Sequence, residues 1–173
     1  VKMFFVLGNA LHDAGIAKIE AKMHYLTARP ETLIRHMYAG EKILAWGGRG
    51  KGPRIIDGAD FKPYRPTAAS PEHVSGHSAF GVSAGEALRL FTGSDDLGYT
   101  IVVKAGDFMF DNGPAADVVL FMETLTEAER DIASSGVYGQ AHFTTGELMG
   151  RQLGRKVARK VYSTAMRYIN GTR

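Results

Sequence analysis

The stretch that decides the fold is SPEHVSGHSAFGVSAGEALRLF, at positions 70–91. Its second part predicts a helix over residues 77–91, because apolar residues recur at three- and four-residue steps and form one face. These residues are Phe80, Ala84, Ala87, Leu88 and Phe91. Gly93 is placed to cap the end of this helix. The polar run Ser75-Gly76-His77 falls where the helix begins, so groups capable of chemistry stand at a helix N-terminus.

Helices also dominate the sequence on either side of this stretch. The same periodicity predicts helices over 3–24, over 31–38 after Pro30, and over 143–168. Thr124 followed by Glu127 is a capping-box pattern, which indicates a further helix through about residue 135. Gly136 and Gly139 then flank a predicted break before the last helix.

Two β-like runs, over 99–105 and 117–122, surround a segment rich in glycine and predict a small hairpin. Residues 39–76 hold many glycines and prolines and predict a long connection, which is usually functional at this length. We therefore expect a mainly α protein, a helical bundle with one small β-hairpin. We expect residues 1–173 to form a single domain. Because the sequence begins at Val1, without an initiator methionine, we expect either a processed protein or the C-terminal part of a longer chain.

Composition excludes several classes of protein. Hydrophobic residues make up 45% and charged residues 23% of the 173 positions, which argues against disorder. There is no cysteine, so disulfides and thiolate metal sites are excluded. A net charge of +3 is too small to predict nucleic-acid binding. Because no apolar run approaches about 20 residues, we do not expect an integral membrane protein.

Three polar clusters carry the candidate chemistry, and together they have the parts of an oxyanion site. Lys22 and Arg29 offer a point charge and a planar fork that matches two oxygens. Ser75 has a hydroxyl, and the Gly76 N–H can approach an oxygen closely because glycine has no Cβ. His77 completes the second cluster and His142 is the third; imidazole titrates near neutral pH, so both suit acid–base or ligand roles.

Each cluster also has an ordinary explanation when it is taken alone. A lysine and an arginine seven residues apart are usually a charged helix face, and Ser-Gly-His at a helix start is usually a cap. His142 alone is more often a hydrogen-bonded interfacial histidine than a ligand. Only the order and the spacing of the three clusters together favour a shared site.

The three clusters resemble the signatures of the type 2 phosphatidic acid phosphatase superfamily, which are Lys-x6-Arg-Pro, Pro-Ser-Gly-His and Ser-Arg-x5-His-x3-Asp. Here they stand as KMHYLTARP (22–30), VSGH (74–77) and SSGVYGQAHFTTGE (134–147). The longer stretches ALHDAGIAKIEAKMHY (10–25) and 70–91 are similar to the vanadium-dependent haloperoxidases of that superfamily.

The resemblance implies a role for each matching residue. Vanadate would be held by five residues and His77 would be the acid–base group; the five are Lys22, Arg29, Ser75, Gly76 and His142. His142 would be the axial ligand of vanadium. The implied activity is oxidation of halide, or of an organic sulfide, by hydrogen peroxide. A periplasmic or secreted location is expected from the same resemblance, and a homo-oligomer is a further expectation.

Two positions depart from the third signature. Gly136 stands where the family has Arg, and Gly146 stands where it has Asp, although Glu147 is adjacent and is a candidate for that role. Candidates to replace the arginine are Arg54, Arg65 and Arg151, and Ser70 is a candidate near the pocket for halide preference. Three hypotheses therefore stay open. They are a haloperoxidase, an acid phosphatase that cleaves a phosphate monoester with His142 as nucleophile, and a non-catalytic relative.

Overall fold

Helices carry most of the chain in the computed structural model, which describes residues 1–172. In chain order they are α1 Lys2–Tyr25, α2 Pro30–Met37, α3 Gly76–Thr92, α4 Leu125–Tyr138 and α5 Thr144–Ile169. Each lies within a few residues of a helix that the sequence predicts. The expected mainly α class is therefore confirmed.

α3 lies at the centre of the bundle and packs against α1, α4 and α5. Small residues allow these helices to approach closely. A Cβ on Gly150 of α5 would stand 2.6 Å from the Ser75 carbonyl oxygen, and one on Gly154 would overlap the Ala79 carbonyl oxygen. The main core cluster is formed by small apolar side chains, namely Val6, Ala10, Ala87, Ala158, Val161 and Ala165. The close contacts of Gly150 and Gly154 with Ser75 and Ala79, in contrast, hold the start of α3 against the first half of α5, where the candidate residues lie.

The helix ends follow the predicted capping residues, with one exception. The Thr124 hydroxyl accepts a hydrogen bond from the Glu127 N–H at 3.1 Å, and the Glu127 carboxylate accepts one from the Thr124 N–H at 3.3 Å. Gly93 caps α3 with a φ of 74°. The predicted break at Gly136 is wrong, because α4 continues through this residue to Tyr138 and is capped by Gly139.

The structure contains the predicted hairpin and a second one. β3 (Asp96–Val103) pairs antiparallel with β4 (Val118–Thr124), as expected. β1 (Lys42–Trp46) pairs with β2 (Pro53–Asp57) inside the segment predicted to be a connection. Gly48, Gly50 and Gly52 have φ values of 104°, 68° and 60°, so they close a turn that other residues adopt only with strain. The glycines that indicated a loop therefore form the turn of this second hairpin.

A buried charge network joins α3 to α4 and to α5. The Arg89 guanidinium lies 2.6 Å from Glu129 and 2.9 Å from Glu86. Burial raises the pKa of Glu129 despite this arginine. Arg89 therefore compensates the two buried carboxylates together with Arg155 and Arg159 of α5. In the part of the chain that the structure describes, no helix combines the length and apolar character needed to cross a membrane.

Candidate active site

The three polar clusters converge where α1 ends and where α3 and α5 begin. Lys22 lies in the last turn of α1, and Arg29 is the residue before α2. Arg29 Nη1 lies 3.1 Å from His142 Nε2, although 113 positions separate these residues in sequence. The structure thus brings the basic pair and His142 to one place, beside the polar start of α3.

The two cations of the first cluster are buried and are held by backbone carbonyl groups. Lys22 is 3% exposed, and its Nζ donates to the carbonyl oxygens of Pro71 and Glu72 at 2.6 and 3.1 Å. Arg29 Nε donates to the Ser70 carbonyl oxygen at 2.8 Å. Burial and the neighbouring Arg29 lower the pKa of Lys22 to about 8. Because neutral carbonyl groups hold both cations in place, their charge remains available to an anion.

His142 has a buried carboxylate as its partner. Its Nδ1 lies 2.8 Å from Glu72 Oε1, and the same oxygen accepts a hydrogen bond from the Phe143 N–H at 3.1 Å. The carboxylate places the proton on Nδ1, so the Nε2 lone pair faces Arg29. Burial lowers the pKa of His142 although Glu72 raises it, so the imidazole is neutral at pH 7. A neutral imidazole with an unprotonated Nε2 is the form that binds a metal centre or attacks phosphorus, and it can do so once Arg29 no longer donates to that nitrogen.

The start of α3 supplies hydrogen-bond donors to the same region. The Ser75 hydroxyl caps the helix by accepting from the Ser78 N–H at 3.3 Å, and Ser75 is fully buried. The ordinary explanation of Ser75 as a helix cap therefore holds alongside its candidate role. The N–H groups of Gly76 and His77 belong to the first helical turn, where amides have no acceptor within the helix.

His77 lies at the exposed side of this region, within reach of several cations. Arg65 Nη2 is 2.9 Å from His77 Nε2. Burial, Arg65, His142, Lys18 and Arg29 all lower the pKa of His77, in that order of effect. The imidazole is therefore neutral at pH 7 and is surrounded by positive charge.

Lys18 is a cation of this region that the sequence analysis missed. Its Nζ lies 3.5 Å from the position that a Cβ on Gly76 would take, and 5.0 Å from the centre of the Phe80 ring. The signal for it was present in the sequence, since Lys18 precedes Lys22 by one helical turn and shares its face. No group of three or more His, Asp or Glu able to hold a metal cation occurs within residues 1–172.

The comparisons with known proteins agree with this arrangement. The family model described as the VCPO second helical-bundle domain matches residues 2–171. The chain belongs to this family. The resemblance to the vanadium-dependent haloperoxidases is therefore confirmed. No protein in the search of curated sequences matches the chain.

Solved structures give the same family relationship. A holo-type bacterial vanadium-dependent chloroperoxidase is 31% identical, with a TM-score of 0.87, and the match covers 92% of this chain and 34% of that one. An apo-type bacterial vanadium-dependent chloroperoxidase is 30% identical, with a TM-score of 0.93, and the match covers 98% and 37%. A bacterial vanadium-dependent iodoperoxidase at 20% identity shares the fold, with a TM-score of 0.66 over 93% and 32%. The chain thus spans about one third of the length of these relatives.

In this chain the carboxylate partner of His142 is Glu72 and not Glu147, the residue that the sequence made a candidate for this role. Glu147 is buried and pairs with Arg151 at 3.2 Å, so its carboxylate serves α5 and not His142. A Cβ on Gly146 would overlap the Glu72 carboxylate. The glycine that replaces the signature's Asp therefore leaves the space in which Glu72 reaches His142. No sequence motif links Glu72 to His142, because 70 positions separate them.

The three candidate replacements for the arginine of the third signature lie in different places. Arg54 is exposed on β2, and its side chain packs on Gly47 of the β1–β2 turn. Arg151 pairs with Glu147. Arg65 alone of the three contacts a candidate site residue, since it donates to His77.

Ser70 also lies at the VCPO-domain site, because its hydroxyl accepts from Arg29 Nη2 at 3.1 Å. A Cβ on Gly136 would stand 3.1 Å from His142 Cδ2, so this glycine packs directly against the imidazole.

Proposed function

We propose that the chain forms the oxyanion-binding part of a vanadate-dependent haloperoxidase, which oxidises halide with hydrogen peroxide. Lys22 and Arg29 would hold vanadate by charge, and Ser75 and the Gly76 N–H would add hydrogen bonds. His142 would bind vanadium through Nε2, and His77 would be the acid–base residue. Substrates of this kind are small molecules, so the proposal calls for no nucleic acid or membrane partner.

The observation that carries the proposal is the pairing of His142 with Glu72. A carboxylate 2.8 Å from Nδ1 orients the ring and makes Nε2 more basic, as it does for histidines that bind metals. The residues present also fit an oxyanion in charge. Four cations lie around the two histidines and Glu72 is the carboxylate at His142, so the region carries excess positive charge for an anion to neutralise; the cations are Lys18, Lys22, Arg29 and Arg65.

Bound vanadate supplies the activation of peroxide and the oxygen transfer to halide. The chain's own residues would contribute preorganised charge and proton transfer. Lys22 and Arg29 are fixed by carbonyl groups, so they need no reorganisation when negative charge develops nearby. His77 is neutral and exposed, so its imidazole can accept a proton and release it to water.

The test is vanadate binding followed by a bromination assay on the full-length protein. We expect orthovanadate to bind and to switch on bromide oxidation in the presence of peroxide. His142→Ala should abolish turnover and weaken vanadate binding, whereas His24→Ala, a change at an exposed histidine of α1, should affect neither. Absence of both binding and turnover in the wild-type protein would refute the proposal.

The acid phosphatase is the second candidate, because the same neutral Nε2 of His142 can attack a phosphate monoester. The two functions differ in their response to vanadate. Vanadate would inhibit hydrolysis of p-nitrophenyl phosphate in a phosphatase, whereas it would activate a haloperoxidase. Inhibition without bromination would therefore favour the phosphatase. A protein that binds neither phosphate nor vanadate would be a non-catalytic relative.

A further inference from the structure

Arg65 is anchored to the segment in which the third signature has lost its arginine. The Arg65 N–H donates to the Gly139 carbonyl oxygen at 3.0 Å. A Cβ on Gly139 would stand 2.9 Å from Arg65 Cβ, so the two backbones meet closely at the end of α4. Gly136 lies one helical turn earlier. Arg65 therefore approaches the position of the missing side chain from another part of the chain.

The guanidinium of Arg65 is turned toward the site and is not neutralised there. Nη2 donates to His77 Nε2, and no carboxylate lies within salt-bridge distance of Arg65 among residues 1–172. A guanidinium has five N–H donors, so most of them remain available after the bond to His77. Arg65 lines a cleft of about 460 Å³ together with Tyr64 and Asp131, so solutes can reach this half-buried side chain, although no other candidate residue lines that cleft.

Position 136 is a poor place for a replacement cation in this chain. A Cβ there would stand 3.1 Å from His142 Cδ2, so a long side chain would begin by crowding the imidazole. Arg65 reaches the other histidine of the site without that crowding. The segment that leads into α3 thus brings a second guanidinium, that of Arg65, to His77, while Arg29 is at His142.

We propose that Arg65 is a binding residue of the oxyanion site and supplies its second guanidinium, in place of the arginine that Gly136 replaces. This inference rests on the proposed function. Arg65 would then keep one N–H on His77 Nε2 and offer its other donors to the anion's oxygens. Arg29 would give the anion the N–H that it now donates to His142 Nε2. A charge-assisted hydrogen bond lost from such a site lowers affinity by about tenfold to a hundredfold.

The test measures equilibrium binding of orthovanadate to the full-length protein and to three variants. Arg65→Met should raise the Kd by about tenfold to a hundredfold, and Arg65→Lys should recover part of that loss because it restores the charge. Arg54→Met is the matched control, since it removes an exposed arginine from the neighbouring hairpin and should leave the Kd unchanged. Arg29→Met measures the loss of the other guanidinium in the same titration.

The outcomes separate this inference from the proposed function. In one outcome the wild-type protein binds vanadate, the Arg29→Met variant loses this binding and the Arg65→Met variant retains it. Arg65 is then no part of the site, and the proposed function stands. A structural role of Arg65 would lower the thermal midpoint of both Arg65 variants and give no recovery with lysine, which also overturns the inference. Failure of the wild-type protein to bind vanadate would overturn the proposed function and this inference with it.

Discussion

Glu72→Gln isolates the charge of the carboxylate that orients His142. In the structure Glu72 Oε1 accepts both from His142 Nδ1, at 2.8 Å, and from the Phe143 N–H, at 3.1 Å. Glutamine has almost the same shape, and its amide oxygen can accept both bonds. The substitution therefore removes the negative charge and leaves the packing against Gly146 in place.

The expected magnitude follows from these two bonds. Each changes from a charge-assisted bond, about 1.5–3 kcal/mol, to a neutral one, about 0.5–1.5 kcal/mol, so the free energy of unfolding should fall by about 2 kcal/mol in all. Loss of the carboxylate partner of a metal-binding histidine costs about tenfold to a hundredfold in affinity. Vanadate affinity should fall by that factor, because the Nε2 lone pair becomes less basic.

The assay compares vanadate with sulfate, which is a tetrahedral anion that forms no bond to an imidazole nitrogen. Sulfate depends only on the cations and N–H groups, and removing a nearby negative charge does not weaken it. Glu147→Gln is the matched control, since Glu147 is equally buried but pairs with Arg151. It should lower stability while leaving both affinities within about twofold, about 0.4 kcal/mol.

A parallel fall in vanadate and sulfate affinity in Glu72→Gln would refute this reasoning, because it would show a general disruption of the site. An unchanged vanadate affinity would refute it as well, since His142 would then not act through Nε2. The thermal midpoint of each variant shows that the affinities are measured on folded protein.

Three further predictions concern charge and packing. Sulfate affinity should fall by about tenfold as the pH rises from 7 to 9.5, because the pKa of Lys22 lies at about 8 and the neutral amine attracts no anion; Lys22→Met, measured by calorimetry, should bind weakly at every pH. Gly146→Ala should lower the free energy of unfolding by about 1–3 kcal/mol in urea denaturation, since its Cβ overlaps the Glu72 carboxylate; Gly8→Ala, in open space on α1, should be stabilising. Arg89→Met should cost about 3 kcal/mol in the same measurement, whereas loss of the exposed Lys104–Asp117 pair should cost less than about 1 kcal/mol; equal costs for the two pairs would contradict the role given to burial.

Most of the fold was predictable because helices leave local signals in the sequence, namely the spacing of apolar residues and the capping residues at their ends. The three- and four-residue spacing of apolar residues predicted α1, α3 and α5. Thr124 correctly predicted the start of α4, and Gly93 the end of α3. The β1–β2 hairpin was not predicted, since its strands are only five residues long and its turn glycines resemble those of any loop. Gly136 was misread for the same reason, because a glycine inside a helix is indistinguishable in sequence from one that ends it.

The candidate site was predictable only where its parts are local. Lys22 and Arg29 share one short segment, and the start of α3 carries its own cap and glycine. Glu72 was missed because its contact with His142 joins segments that pair only after the bundle has formed. The sequence likewise could not show that Arg65, and not Arg54, contacts the site. That requires the position of residues 58–76 in space, and this segment has no periodic pattern from which to predict it.

The two glycines that break the third signature are part of the site's packing and do not simply mark lost side chains. Electrostatic requirements fix where a charge must stand relative to His142, but they do not fix which segment provides it. At position 146 the glycine has no side chain, and the Glu72 carboxylate fills the space that a side chain would occupy. An aspartate restored there would set a second carboxylate against the first, and two like charges in one buried space disfavour each other. The glycine at position 146 and the placement of the Glu72 carboxylate beside His142 therefore go together. A search for the signature alone would score the missing aspartate as loss of the carboxylate at the site.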